Sequence, residues 1–257
     1  MCTTCGCTPG DALGHGNGHD HHHDHGPHDH GHDHHHEGTK RSVIAIEEDI
    51  LAKNNRLASF NRALFREKGL FVLNLVSSPG SGKTTLLERT LRDLAGRFRF
   101  AVIEGDQQTD NDARRIAATG VPVRQINTGA GCHLDAHMVM HGTEEFDLND
   151  LDVILIENVG NLVCPAAFDL GEHHKVVVLS VTEGEDKPLK YPHMFHNSTI
   201  MLLNKTDLLP HLDFDVEACK QYARRVRPDI IIFEVSARTG QGMDQWYQWL
   251  ATEAGKP

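Results

Sequence analysis

Residues 77–85 (SSPGSGKTT) combine a glycine-rich stretch with Lys83 and Thr84, the residue types that together grip a phosphate chain. Gly80 and Gly82 let backbone N–H groups close around an anion, with Ser81 and Thr85 beside them. Lys83 supplies a cation, and Thr84 offers a hydroxyl to Mg2+. The first glycine of the usual G-x-x-x-x-G-K-[ST] pattern is Ser77 here, so the GKT core and its setting carry the reading. A second segment, residues 204–207 (NKTD), suits guanine. The Asp207 carboxylate can accept from both the ring N–H and the exocyclic amine of that base, whereas adenine presents the opposite pattern. Asn204 braces the loop, the Lys205 stem covers the ring plane, and Ser236 and Ala237 form a second base loop. GTP and GDP are the expected ligands.

Between these segments lie groups placed to sense a γ-phosphate. An apolar run, residues 100–103 (FAVI), delivers Asp106 to a strand end as a second Mg2+ or water-positioning group. Residues 152–156 (DVILI) deliver Glu157, with Gly160 three residues further on, in the manner of a GTPase second switch. Lys83 and Asp106 are the catalytic candidates, and Thr84, Asp106 and Glu157 the magnesium candidates. No glutamine stands out as a hydrolytic residue, which predicts slow intrinsic turnover.

A second chemistry runs beside the first. Cys2, Cys5 and Cys7 are three of six cysteines, and no apolar sequence surrounds them. Thiolates at these spacings can wrap one ion, Ni2+ in a square-planar set or Zn2+ in a tetrahedral one. Residues 15–36 then carry twelve of the twenty histidines, interleaved with Asp20, Asp24, Asp29 and Asp33, and read as many weak nickel or zinc sites. Cys132 and His133 sit in a glycine-rich loop, and Cys164 follows Gly160 closely. As metal ligands these three would be coupled to the nucleotide state; as core residues they would do no chemistry. His137 and His141 have the spacing of one helix face.

The elements that must position these groups form an α/β pattern. Residues 70–76 (LFVLNLV) have strand length, and from Lys83 onward Leu86, Leu87, Leu91 and Leu94 recur at helical spacing up to Gly96. Strand-like runs precede Asn204 and Ser236 as well. Residues 46–68 place Ile46, Ile50, Leu57, Phe60, Leu64 and Phe65 near helical spacing, which predicts a helix packing that stripe on the domain and ending at Gly69. The expected division is a metal-binding tail over residues 1–40 and a nucleotide-binding domain over 41–257. The net charge of −11 comes with no basic stripe for nucleic acid or an anionic membrane. No secretory or membrane-spanning stretch is evident, so a reducing, cytoplasmic setting is expected.

CTTCGC, the histidine-rich insert, SSPGSGKTT, EGDQQTDND, the GCHLDA loop, ENVGNLVCP and NKTDLLP occur in this order. Together they resemble the hydrogenase nickel-incorporation GTPases of the HypB family, over nearly the whole chain. The resemblance implies a three-layer α/β fold with a mostly parallel sheet, of the SIMIBI class of P-loop GTPases. It implies a low GTPase rate, GTP-promoted homodimerisation, and delivery of nickel with a HypA-type chaperone to a hydrogenase large-subunit precursor. Cys2, Cys5 and Cys7 would then be the N-terminal nickel site, and Cys132, His133 and Cys164 the inner nickel or zinc site. Two rivals differ in class or cargo: a nickel or zinc storage protein on a GTPase scaffold, and the urease-type nickel GTPases. The latter centre on a Cys-Pro-His unit, whereas Pro165 and Ala166 follow Cys164 here.

Overall fold

The first strand is buried along its whole length, β1 (Phe71–Ser77), and its alternating side chains feed two different cores. Leu73 and Leu75 meet Leu86, Leu87 and Leu91 of α2 (Lys83–Asp93), while Val72 and Val76 face the opposite layer. Such a strand must lie mid-sheet. The computed structural model describes residues 37–106, 110–129 and 131–255, with side chains from residue 45. Cys2, Cys5, Cys7 and the histidine tract lie outside the described residues.

After α1 (Glu37–Glu67), β1 and α2, the chain continues through β2 (Phe100–Asp106), α3 (Asn111–Ala117), β3 (Val123–Asn127), α4 (Ala136–Thr143) and β4 (Val153–Gly160). It then forms β5 (His174–Ser180), α5 (Lys187–Lys190), α6 (Pro192–Asn197), β6 (Ile200–Asn204), α7 (Val216–Val226), β7 (Ile231–Glu234) and α8 (Met243–Glu253). The seven described strands pair in the order β3-β2-β4-β1-β5-β6-β7, all parallel. Helices α2 and α8 cover one face, where Trp246 and Leu250 complete the core. Phe65 of α1 and Val139 of α4 cover the other face over Ile103 and Ile156, and Phe195 and Cys219 do so over Val177 and Leu203. This is the expected three-layer α/β architecture. The C-terminal strand ends bring the phosphate loop, Asp106, Glu157 and Asn204 to one edge, as parallel sheets require. No helix among the described residues is long and apolar enough to cross a membrane.

Two units divide the chain, Met1–Ile50 and Leu51–Pro257. Helix α1 begins at Glu37, earlier than the apolar spacing predicts, and no proline interrupts it. Its apolar stripe meets its buried stripe only at Phe65. Ile46, Ile50 and Phe60 are exposed, Phe60 at 69%. Asn54, Ala58, Asn61 and Phe65 are buried instead, a face turned by about one residue, or ~100°. The cause is hydrogen bonding. Asn61 Nδ2 donates to the carbonyls of Ala136 (2.8 Å) and Leu170 (2.9 Å), and Asn54 accepts from Ala136 N at 2.9 Å. Backbone groups at the start of α4 and at Leu170 thus find side-chain partners on this helix face.

Candidate functional site

The turn between β1 and α2 is built for close backbone approach. Gly82 has φ +91°, and a Cβ there would stand 2.7 Å from Asn204 Nδ2, so a side chain is excluded twice over. That same Asn204 Nδ2 donates to Ser81 O at 3.0 Å, and Lys205 Nζ donates to Gly80 O at 2.6 Å. The two sequence motifs, far apart in the chain, are one structure. Asn204 Oδ1 accepts from Ala237 N at 3.1 Å, and Ser236 Oγ donates to Asp207 Oδ1 at 2.6 Å. Gly82, Thr85, Asn204, Lys205, Asp207 and Ala237 line a cleft of about 220 Å3 beside these bonds. It suits a flat heterocycle whose edge meets the Asp207 carboxylate. Ser77, which stands at the usual first glycine, is the buried last residue of β1, and its hydroxyl donates to Ser78 O at 2.8 Å.

Carboxylates gather beside the phosphate loop. Glu157 Oε1 accepts from Thr84 Oγ1 at 2.6 Å and from Lys83 Nζ at 3.2 Å, whereas its Oε2 is buried without a partner. Across the β2–β4 register Glu157 faces Glu104, whose Oε2 is also buried and unpartnered. Burial, and then the nearby Glu157 and Asp106, push the Glu104 carboxyl up to about 8. Orphaned acceptors in a buried acidic pair are what a hard divalent cation relieves, so the donor set fits Mg2+. Glu104 is absent from the sequence-derived candidates. Its signal was available, since a carboxylate directly after FAVI is a charge inside a strand, and β2 runs on through Asp106.

The third group is a cysteine–histidine cluster. Ligand atoms of Cys132, His133 and Cys164 all lie within 4.8 Å of one another, and Cys132 Sγ is 3.6 Å from His133 Nδ1. Bonds of about 2.0–2.3 Å to a shared ion fit that span. Burial lowers the His133 pKa, which favours the neutral, ligating imidazole, and Phe168 packs on its ring at 3.9 Å between centroids. The Cys132–His133 loop follows β3, and its start is tied to the end of β2, where Thr128 N donates to Asp106 O at 2.9 Å. Cys164 opens a short 3-10 turn, Cys164–Ala166, after Gly160, and a Cβ on Gly160 would stand 3.2 Å from Pro79 Cα. His137 and His141 form one exposed face of α4, with Nε2 atoms 3.1 Å apart.

Residues 71–234 match the nucleotide-binding domain family CobW/HypB/UreG. The hydrogenase maturation factor HypB of Azotobacter vinelandii is 67% identical over 213 residues, covering 83% of this chain and 70% of that protein. A crystal structure of HypB from Helicobacter pylori in complex with nickel superposes with a TM-score of 0.75 at 39% identity, covering 79% of this chain and 96% of that one. The HypB structure from Archaeoglobus fulgidus gives 0.74 at 40% identity, covering 79% and 99%.

Proposed function

This chain belongs to the HypB hydrogenase maturation factors of the CobW/HypB/UreG family, and we propose on that footing that it is a GTP-hydrolysing nickel metallochaperone. It binds GTP, holds nickel or zinc on Cys132, His133 and Cys164, and yields nickel in step with the nucleotide cycle as a [NiFe]-hydrogenase matures. Gly80 to Thr85 cradle the phosphates, and Asn204, Lys205, Asp207, Ser236 and Ala237 take the guanine. Thr84, Asp106 and Glu157 hold Mg2+, which supplies charge neutralisation at the phosphates when bound. Lys83 is the cation that meets the developing phosphate charge, and Asp106 positions water. Cys2, Cys5 and Cys7 form the outer nickel site. A GTP-dependent homodimer, a HypA-type chaperone and a hydrogenase large-subunit precursor are the proposed partners.

One observation carries this reading. The Cys132–His133 loop leaves the sheet after β3, whose end is hydrogen-bonded to Asp106 O through Thr128 N, and Cys164 follows Gly160, which lies against Pro79 of the phosphate loop. A γ-phosphate that draws in either strand end therefore changes the ligand separation. The test measures nickel affinity and dimer fraction of the full chain in GDP and in a non-hydrolysable GTP analogue, for the wild type and for Cys164→Ala. A coupling of about 1–3 kcal/mol is expected, and reciprocity requires nickel to change the preference for GTP over GDP by the same factor. Equal affinities in the two states would leave metal storage as the function, and an unchanged affinity in Cys164→Ala would remove Cys164 from the site.

A further inference from the structure

We infer that a buried polar relay, Asn158–Asn74–Glu172–Lys175, sets the two halves of the nickel site and carries the nucleotide state to both, an inference that rests on the reading of Cys132, His133 and Cys164 as that site. Its members are almost sealed from solvent, Asn74 at 0%, Asn158 at 1%, Lys175 at 6% and Glu172 at 9% exposure. They cross the sheet as hydrogen bonds from Asn158 to Glu172 and an ion pair from Glu172 to Lys175. Leu134 N, directly after His133, donates to Asn158 Oδ1 at 3.0 Å, and Asn158 Nδ2 donates to Asn74 Oδ1 at 3.3 Å. Asn74 Nδ2 donates to Glu172 Oε1 at 3.0 Å, and the same oxygen lies 4.0 Å from Lys175 Nζ. Lys175 Nζ then donates to the carbonyls of Pro165 (3.0 Å) and Ala166 (3.2 Å), in the turn that begins with Cys164, and of Phe168 (2.9 Å) just after it.

The chemistry of the ends explains the choice of residues. A three-residue 3-10 turn leaves its carbonyls without helical partners, and one ammonium with three N–H groups satisfies two of them, Pro165 and Ala166, together with Phe168 just beyond. A buried ion pair gives little net stability against apolar residues of the same volume, so its presence in this core argues for positioning rather than strength. The route is equally specific. Asn158 directly follows Glu157, which accepts from Thr84 and Lys83, and Asn74 lies on the strand that ends in the phosphate loop. In the register of β1, Asn74 stands between Ile156 of β4 and Lys175 of β5. A displacement of residues 157–160 on phosphate binding thus moves Asn158, and with it the backbone beside His133 and, through Asn74, Glu172 and Lys175, the turn that holds Cys164. These four are positioning residues; none is assigned a contact with nickel or nucleotide.

The experiment uses the full chain carrying Cys2→Ser, Cys5→Ser and Cys7→Ser as parent. Nickel–thiolate absorption then reports Cys132 and Cys164, since the remaining cysteine, Cys219, is buried in the core with its thiol pushed up to about 12. Nickel affinity is titrated in GDP and in a non-hydrolysable GTP analogue, and GTP affinity is measured as the check on folding. The charge-balanced variant Lys175→Met/Glu172→Gln is expected to bind GTP as the parent does. Its nickel affinity should fall about 10–100-fold, the range typical of groups that orient metal ligands, and its GTP-to-GDP affinity ratio should collapse to one. Should that variant lose GTP binding, Asn74→Ser, which shortens the middle link and keeps a hydroxyl, is read by the same two numbers. Parental nickel affinity and ratio in the variant overturn the relay. Weakened nickel binding with the parental ratio also overturns it, by reducing the four residues to scaffolding. A parent without nickel–thiolate absorption, or with equal affinities in GTP and GDP, overturns the functional reading before any variant is made, and the relay with it.

Discussion

Asp207 is oriented by the Ser236 hydroxyl at 2.6 Å and lines the cleft proposed to take the base, where its carboxylate would accept from the base edge. Asp207→Asn keeps an acceptor for Ser236 but turns half of the carboxylate into a donor. GTP binding should weaken by about 2–4 kcal/mol and xanthosine triphosphate binding should improve; an unchanged GTP affinity would take Asp207 out of the base pocket. Glu104 gives a second expectation at this scale. Its folded carboxyl is pushed up to about 8, far above the ordinary glutamate range, so the folded chain holds a proton there that the unfolded chain has lost. Stability contributed by this group is full at low pH and falls as pH rises through that window. Between pH 6.5 and 8 the nucleotide- and magnesium-free protein should lose about 1–2 kcal/mol from Glu104 alone, and Glu104→Gln should flatten the urea midpoint across that range. A slope that survives the substitution would assign the titration to another group.

Helix α1 shows how an element can be right in kind and wrong in facing. Apolar spacing predicts the stripe through Ile50, Leu57 and Phe60 as the inner face, yet Asn54 and Asn61 point inward because the loops beneath them have backbone groups to satisfy. Phe60→Ser should therefore change stability by less than about 0.5 kcal/mol, whereas Asn61→Ala should cost about 1–3 kcal/mol. Chemical denaturation of the two variants decides it, and the opposite order would restore the apolar stripe as the inner face. The start of β5 carries an acid-sensitive pair. His173 Nδ1 accepts from Val72 N at 3.1 Å and His174 Nδ1 lies 2.9 Å from Thr199 Oγ1; burial lowers the pKa of both imidazoles. Their neutral forms belong to the folded state, so the stability they contribute is complete above the ordinary histidine pKa of about 6.5 and is lost as pH falls below it. His173→Gln, read by thermal unfolding from pH 7 to 5, should lessen the acid loss.

At the scale of the whole molecule two metal economies are proposed to share one chain. Residues 15–36 offer scattered imidazoles, while Cys2, Cys5 and Cys7 offer thiolates, which hold borderline ions more strongly. Deleting residues 15–36 should lower nickel stoichiometry far more than it lowers the tightest affinity, and both classes should weaken toward pH 5 as their ligands take up protons. Loss of the tightest event on that deletion would make the histidines its ligands. The acidic net charge of −11 suits protein and metal partners over nucleic acid.

The parallel α/β fold and the nucleotide edge were legible because their signals are local. Strand runs, the glycines of residues 80 and 82, and the polar residues that end each strand need only short-range sterics and continuous apolar runs of strand length to be read. The gathering of Cys132, His133 and Cys164 was implied only by the family resemblance, since the residues alone left a core role open. Asn74 inside LFVLNLV and Lys175 ahead of VVVL were visible as polar residues in apolar strands, but their meaning was not. A buried hydrogen bond is specified by two partners at once, and the partners of Asn74 are far along the chain, at Asn158 and Glu172. The same holds for the inner face of α1, which backbone groups of Ala136 and Leu170, more than seventy residues away, select. Periodicity reports which side chains avoid water, while the demand of distant carbonyls and amides for a partner exists only once the chain has folded around them.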